Sequence, residues 1–321
     1  MEKLVFPDLY CPFPSQINKY ADLLEESALN WVTQYNLLTN NLIYQRFLKA
    51  KFYMLVALTY PYCQIEELKV ANDWMSWIFI WDDQCDMSTL KPELLKAYHT
   101  RFIQILKGAE LTNEDIPLSY ALSDIRIRML GLGSQQVFNH FINTFEDYFY
   151  GCEKEANIST LKIIPSMETY MNIRRATIGV ETSLALTEFC DKLQITDFLR
   201  NHEILNQIKL MATNIICWSN DIFSYPKELA INHVHNLVLI LQNQQKISLN
   251  LAINLAIKMH NQEVENLIQM ESCIPSYGEK IDNEIAKYLS GIHAWISGHL
   301  AWYSYSGRYQ TLEKIDLAKV S

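Results

Sequence analysis

Basic runs, long apolar runs, turn-forming residues and paired cysteines are all scarce in this sequence of 321 residues. Lysine and arginine number 27 against 36 acidic side chains, a formal net charge of −9. The chain therefore lacks the basic face that a nucleic-acid binder presents. No apolar stretch reaches the roughly 18 residues that suggest a membrane span, which argues against stable membrane insertion. The opening MEKLVFPDLYCPFPS sets three prolines where a signal peptide has its apolar core, so a soluble, cytoplasmic protein is expected. Glycine and proline stand at nine each, too few for a turn-rich β fold. The seven cysteines are odd in number, scattered and without a CxxC pair. They are expected to be reduced core residues.

What the chain does have is apolar surface, 49% hydrophobic and 12% aromatic. Apolar residues recur at intervals of three and four. They predict about ten helices, over 15–36, 40–59, 65–87, 92–107, 116–131, 135–155, 164–190, 196–230, 233–269 with a break near Lys246, and 279–305. No strand alternation, internal repeat, Gly/Ser linker or change of composition interrupts them. The expected fold class is all-α, a single domain over 1–321. Residues 1–14 form an N-terminal arm, which the proline-punctuated segment 6–15 marks. WMSWIFIW and IICW are apolar on most faces and belong inside a bundle or along a buried cavity.

Residues 78–86 read IFIWDDQCD. Asp82 and Asp86 are one turn apart on a helix and share a face, with Asp83 beside them. Such a cluster stays ionised only if a cation or water compensates it, and hard carboxylate oxygens suit Mg²⁺. A solvated helix end is the plain alternative. Against it, negative charge at a helix C-terminus opposes the dipole, and the preceding residues are too apolar for an exposed end.

A second polar island, NDIFSYPKE at 220–228, follows IICWS directly. Asn220, Ser224 and Glu228 are spaced by four and make one stripe. It spans about 12 Å of helix rise, long for a single ion. The longer outer side chains can lean toward the short middle one, so an ion over Ser224 could collect all three oxygens. Lys227 adds a donor for an anion, and Asp221 lies off the stripe. Pro226 removes a backbone donor and clashes with the Ile222 carbonyl; the helix either bends there or ends. A polar surface face is the alternative for the whole island. Two such sites in an acidic protein call for an anionic ligand, and diphosphate with Mg²⁺ fits. Arg174 and Arg175, in a helix that Gly179 can interrupt, and Arg308 with Tyr309 past the last long helix, supply donors suited to phosphate.

Taken together, these residues resemble the class I terpene synthases of bacteria and fungi, the single-domain sesquiterpene cyclase type. Asp82, Asp83 and Asp86 match the family's acid-rich motif. Asn220, Ser224 and Glu228 match its Asn/Ser/Glu triad, with Lys227 in its usual place. Arg174 stands 46 residues before that Asn, where the family has its diphosphate-sensing arginine, and the Arg308–Tyr309 pair stands 80 residues after Glu228. The arm PDLYCPFPSQIN also looks like the family's. One position departs: many members carry an acidic residue three after the sensing arginine, where this chain has Thr177.

The resemblance implies a helical bundle around a central cavity and a lyase acting on an isoprenoid diphosphate. Three Mg²⁺ ions would bind that diphosphate. Asp82 would be the main bridging carboxylate, Asp83 and Asp86 supporting it, and Asn220, Ser224 and Glu228 would hold the third ion. Arg174, Lys227, Arg308 and Tyr309 would donate to the diphosphate. Such groups stabilise a leaving group whose charge grows, and the allylic cation left behind needs a dry pocket with π faces. Phe79 and Trp302 resemble the family's pocket aromatics; Phe52 and Tyr53 are further candidates, and plain core packing is the alternative for each. Farnesyl diphosphate is the expected substrate and geranylgeranyl diphosphate the main alternative. A chain-elongating synthase, which normally carries two aspartate-rich motifs, and a non-catalytic helical binding protein stay open. Monomer and homodimer are both compatible with the sequence.

Overall fold

The computed structural model describes residues 8–87, 90–160, 164–230 and 235–309. Among them the regular elements are all α-helices. The first seven are α1 (Ala21–Gln34), α2 (Asn41–Ala50), α3 (Phe52–Thr59), α4 (Ile65–Met87), α5 (Pro92–Leu106), α6 (Pro117–Leu132) and α7 (Gln135–Thr160). Then follow α8 (Met167–Thr177), α9 (Val180–Cys190), α10 (Asp197–Arg200), α11 (Glu203–Ala230), α12 (Leu237–Gln245), α13 (Leu249–Glu271) and α14 (Glu279–Tyr305). No helix among the described residues is long and apolar enough to cross a membrane.

Local chemistry sets most of these boundaries. Pro92 and Pro117 open α5 and α6, where a missing N–H costs nothing. Asn40, Ser166, Asn236 and Ser248 cap α2, α8, α12 and α13 with side-chain oxygens. Gly179 takes φ 73° and separates α8 from α9, as its place in the sequence suggests. Lys246, at φ 52°, makes the expected break between α12 and α13. Pro226 lies inside α11, which runs on to Ala230, so the helix does not end there.

Three predicted helices are corrected. The stretch 196–230 is two, α10 and α11, parted at Asn201 and His202. The stretch 15–36 starts its helix only at Ala21. Asn18 is buried and turns its amide onto the Tyr60 and Cys63 carbonyls, while its N–H donates to Ala57 O. The stretch 40–59 is two helices, parted at Lys51 with φ 49°. Carbonyls orphaned at the end of α2 are met from the other end of the chain. Trp302 Nε1 donates to Ala50 O and Lys51 O, Ser306 Oγ to Ala50 O, and Gly307 N to Lys49 O. Residues 8–14 of the arm are non-helical. Tyr10 N bonds Asn261 and Phe13 stacks on His293 at 4.0 Å, so it crosses α13 and α14; residues 1–7 lie outside the described residues.

The core is centred on α4. Trp74, Trp77 and Trp81 run down it in a stacked ladder with centroids 5.7 and 6.5 Å apart. Phe102 of α5 and Phe141 and Phe145 of α7 meet the ladder edge-on. Each buried tryptophan removes about 200 Å² from water, an upper bound of about 5 kcal/mol. The apolar run before Asp82 is therefore bundle interior. A second cluster joins α8, α11, α12 and α13 through Tyr170, Trp218, Ile222 and Leu241. The cysteines are all unpaired, but only Cys63, Cys190 and Cys217 are buried; Cys273 is exposed. The expectation that all seven are core residues does not hold, because small thiols also fit half-covered positions on these helices.

Candidate active site

The C-terminal ends of α4, α8 and α11 converge with the segment that follows α14. Burial of the apolar face of α4 fixes its exit, and there Asp82 and Asp83 remain partly exposed, at 46% and 24% of the side chain. Arg308 reaches them, with Nη1 2.8 Å from Asp83 and Nη2 3.3 Å from Asp82. It arrives there because Gly307 and Ser306 are pinned to the end of α2. Burial opposes charge on Asp83, yet the Arg308 guanidinium holds its carboxyl below the usual carboxylate range, with Lys227 and Arg46 adding positive charge. Asp86 ends its helix with Met87, but its side chain lies outside the described residues.

The Arg308 guanidinium also lies over two rings, 5.1 Å from the centroid of Phe79 and 5.7 Å from that of Phe52. Those rings stack on each other at 4.1 Å. Trp302 packs 5.8 Å from Phe79 and is fully buried. Phe52 thus joins the predicted aromatic pair. Tyr53 does not: its environment is set by burial and by Glu25 of α1.

Tyr309 links this cluster to α11. Its hydroxyl accepts from Asn220 Nδ2 at 3.2 Å, as does that of Tyr303. Tyr303 OH shares a further hydrogen bond with His299, and His299 another with Ser219, 3.2 and 3.3 Å long. Burial lowers His299 to about 3, so its imidazole is neutral. On the other side Asn220 Oδ1 accepts from Arg174 Nη2 at 2.7 Å. Arg174 Nε donates to Asp221 Oδ1 at 2.9 Å. Arg175 turns elsewhere, onto Asn214 at 2.8 Å. Thr177 offers Arg174 only a 3.5 Å bond to its carbonyl.

Ser224 distinguishes the α11 stripe from an ordinary helix face. It is 2% exposed, and its Oγ has no hydrogen-bond partner. Ser76 and Thr213, also buried in helices, bond the carbonyl four residues back at 2.9 Å. An unmade bond on a buried hydroxyl costs about 1–3 kcal/mol, so the Ser224 oxygen is kept for a partner that binds. Asn220 and Glu228 stand one turn on either side, and Glu228 Oε2 accepts from Asn236 Nδ2 at 2.8 Å. Three oxygens of this kind suit a hard divalent cation, so these residues fit a metal. Among the described residues no three His, Cys, Asp or Glu side chains gather into a metal-holding group. The α11 set joins the Asn220 amide and the Ser224 hydroxyl to a single carboxylate, Glu228.

The structure therefore brings together Phe79, Asp82, Asp83, Arg174, Asn220, Arg308 and Tyr309, with Ser224 and Glu228 further along α11. Sequence reasoning set Asp221 aside as off the ligand stripe and did not single out Asn236, Tyr170, Tyr303 or Arg46. Asp221 carried a signal, an acid buried in the turn between Asn220 and Ser224; Asn236 carried none.

The model of terpene synthase family 2, C-terminal metal binding, matches residues 73–266. The chain is 50% identical over 321 residues to the germacrene A synthase of Nostoc punctiforme, covering 99% of both proteins. It is 32% identical over 308 residues to a (+)-T-muurolol synthase ((2E,6E)-farnesyl diphosphate cyclizing) of Roseiflexus castenholzii, covering 95% of this chain and 94% of the other. Among solved structures, the germacradien-4-ol synthase of Streptomyces citricolor superposes with a TM-score of 0.82 at 22% identity, covering 94% of this chain and 99% of that one. An a-eudesmol synthase gives 0.84 at 18% identity, with 94% and 100% covered.

Proposed function

Because the chain belongs to terpene synthase family 2, defined by its metal-binding C-terminal part, we propose that it ionises and cyclises farnesyl diphosphate to a sesquiterpene, releasing diphosphate. The observation that carries this reading is the bridge made by two adjacent residues. Arg308 sits on the carboxylates of α4 while Tyr309 sits on Asn220 of α11, so both ligand sets address one small volume.

Asp82, Asp83 and Asp86 on one side, and Asn220, Ser224 and Glu228 on the other, would hold Mg²⁺, three ions in all. Bound there, Mg²⁺ neutralises the charge that grows on a departing diphosphate. Arg174, Lys227, Arg308 and Tyr309 donate to the diphosphate oxygens, so its charge is met most strongly as the carbon–oxygen bond breaks. The Phe79 ring, flanked by Phe52 and Trp302, supplies the face on which the allylic cation rests. Buried aromatic walls exclude water from it. The bundle works as one catalytic domain, in the cytoplasm.

Two relatives bear on the substrate. One is named for cyclising (2E,6E)-farnesyl diphosphate, and the Nostoc protein is named a germacrene A synthase. Germacrene A is therefore the product to seek first. Purified protein is incubated with Mg²⁺ and geranyl, farnesyl or geranylgeranyl diphosphate, and the organic extract is analysed by gas chromatography with mass spectrometry. A C15 hydrocarbon or alcohol, lost on chelation of the metal, is expected from farnesyl diphosphate. Longer prenyl diphosphates alone, or no turnover of any of the three, would overturn the reading.

A further inference from the structure

Behind the candidate ligands lies a polar joint that touches neither ion nor substrate in that reading. Asp221 is fully buried. Its Oδ1 accepts from Arg174 Nε, and its Oδ2 accepts from Tyr170 OH at 2.6 Å and from Leu237 N at 2.7 Å. Both oxygens are thus spoken for within the protein. Asn236 is equally buried. Its Nδ2 donates at 2.8 Å to the Asp221 carbonyl and at 2.8 Å to Glu228 Oε2, while its Oδ1 accepts from Val238 N at the start of α12.

Resting on the proposed roles of Arg174 and Glu228, we propose that Asp221 and Asn236 are positioning residues forming one clasp: Asp221 aims Arg174 at the diphosphate, and Asn236 aims Glu228 at its metal ion. The charge logic requires a partner of this kind. Arg174 is 13% exposed, and a buried guanidinium without a carboxylate is costly. Thr177, one turn along α8, brings no charge, so the carboxylate comes from α11. Asp221 binds Nε and leaves the terminal nitrogens of the fork for exchange. The one now on Asn220 Oδ1 can pass to an anion when that oxygen turns to a metal. Without Asp221, the guanidinium would be drawn to Glu228, whose charge already acts on it, and would compete there with the metal. Asn236 prevents a second failure, since an unheld glutamate carboxylate would swing freely on its long stem.

Two shape-conserving variants of the full chain separate the two arms. Asp221→Asn removes the charge that holds Arg174. Asn236→Asp keeps the α12 cap but removes both donors. Isothermal titration with inorganic diphosphate in saturating Mg²⁺, and the Mg²⁺ concentration giving half-maximal turnover, are measured for each. Loss of such supporting partners costs about 10–100-fold. Asp221→Asn is expected to weaken diphosphate binding at least about tenfold and to raise the KM for farnesyl diphosphate with it. Asn236→Asp is expected to raise the half-saturating Mg²⁺ about tenfold, with diphosphate affinity in saturating Mg²⁺ near wild type. Should Asp221→Asn not fold, Asp221→Glu displaces Arg174 by one methylene, and the same loss of diphosphate affinity is expected. Wild-type diphosphate affinity and Mg²⁺ requirement in the variants, or equal shifts of both quantities in both variants, would overturn the clasp. Wild-type turnover, measured first, keeps the claims apart: an active wild type with unaffected variants sinks the clasp alone, whereas an inactive wild type sinks the functional reading.

Discussion

At the scale of single residues, Asp82 and Trp302 stand at opposite ends of the range of exposure in the site. Asp82 is nearly half exposed and only loosely met by Arg308, so the fold gains little from it. Asp82→Asn is expected to cut turnover on the order of 100-fold or more while the thermal midpoint stays within about 2 °C. Full activity in that variant would remove Asp82 from the metal site. Trp302 is the opposite case, fully buried with its indole N–H on two carbonyls. Trp302→Phe keeps an aromatic face near Phe79 but loses both bonds, so a loss of about 1–3 kcal/mol is expected in urea unfolding. If Trp302 lines the pocket, the product mixture changes as well; unchanged products and rate would assign it to packing alone. The ligand-bearing residues were legible because helical spacing is periodic, and four-residue intervals place carboxylates on a common face. Asp221 was legible only as an acid beside Asn220; its role depends on Tyr170 and Leu237, 51 and 16 residues away, which tertiary packing brings to it.

At the scale of elements, α4 and α14 match their predicted limits of 65–87 and 279–305. Each is long, uninterrupted and bounded by unmistakable turn residues. The division at Lys51 was hidden. A left-handed residue is normally announced by glycine, and here the Lys51 carbonyl is held by Trp302 and that of its neighbour Ala50 by Ser306, some 250 residues away. That arrangement depends on a close crossing of α3 and α14. A Cβ on Gly298 would stand 2.5 Å from the Leu58 carbonyl oxygen, which is backbone and cannot turn aside. Gly298→Ala is therefore expected to destabilise by about 1–3 kcal/mol or more. Because α14 would be pushed away with its tail, turnover should fall together with the thermal midpoint. A stable, fully active variant would show that the helices do not approach so closely.

Over the whole molecule, buried titratable groups set the response to acid. Burial lowers His99 and His299 to about 3 and His140 and His260 to about 4. Their unfolded values are near 6.5, so the stability they contribute is complete above that pH and is lost as pH falls toward the folded values. Burial raises Asp73 to about 7, and Asp191 and Asp221 to about 6. These carboxyls act in the opposite sense, taking up protons in the native state before the unfolded chain does. Stability should be flat above pH 7 and fall below pH 6, where the four imidazoles outweigh the carboxyls, by at most about 1.4 kcal/mol per unit, since Glu188, which burial also raises, offsets part of the loss. Urea midpoints at pH 5, 6, 7 and 8 test this; a midpoint that rises on acidification would mean that the carboxyls dominate. The single all-helical class was readable from composition and period, since nothing in the chain favours a strand. The neutrality of these imidazoles was not, because it follows from how deeply each is packed.

The tail at 306–309 closes the site by tying the end of α2 to Asp82, Asp83 and Asn220. A ribosome reads the gene in one direction, so a growing chain presents both ligand sets before Arg308 exists. Until then the two sets lack the Arg308–Tyr309 bridge that joins them, and the carbonyls at the end of α2 lack the bonds that the tail supplies. A chain stopped after Tyr305 should form its helices, melt earlier and make no terpene, as circular dichroism and product analysis would show. Helix formation alone is therefore not expected to yield activity, because the two ligand sets are joined only through residues 308 and 309.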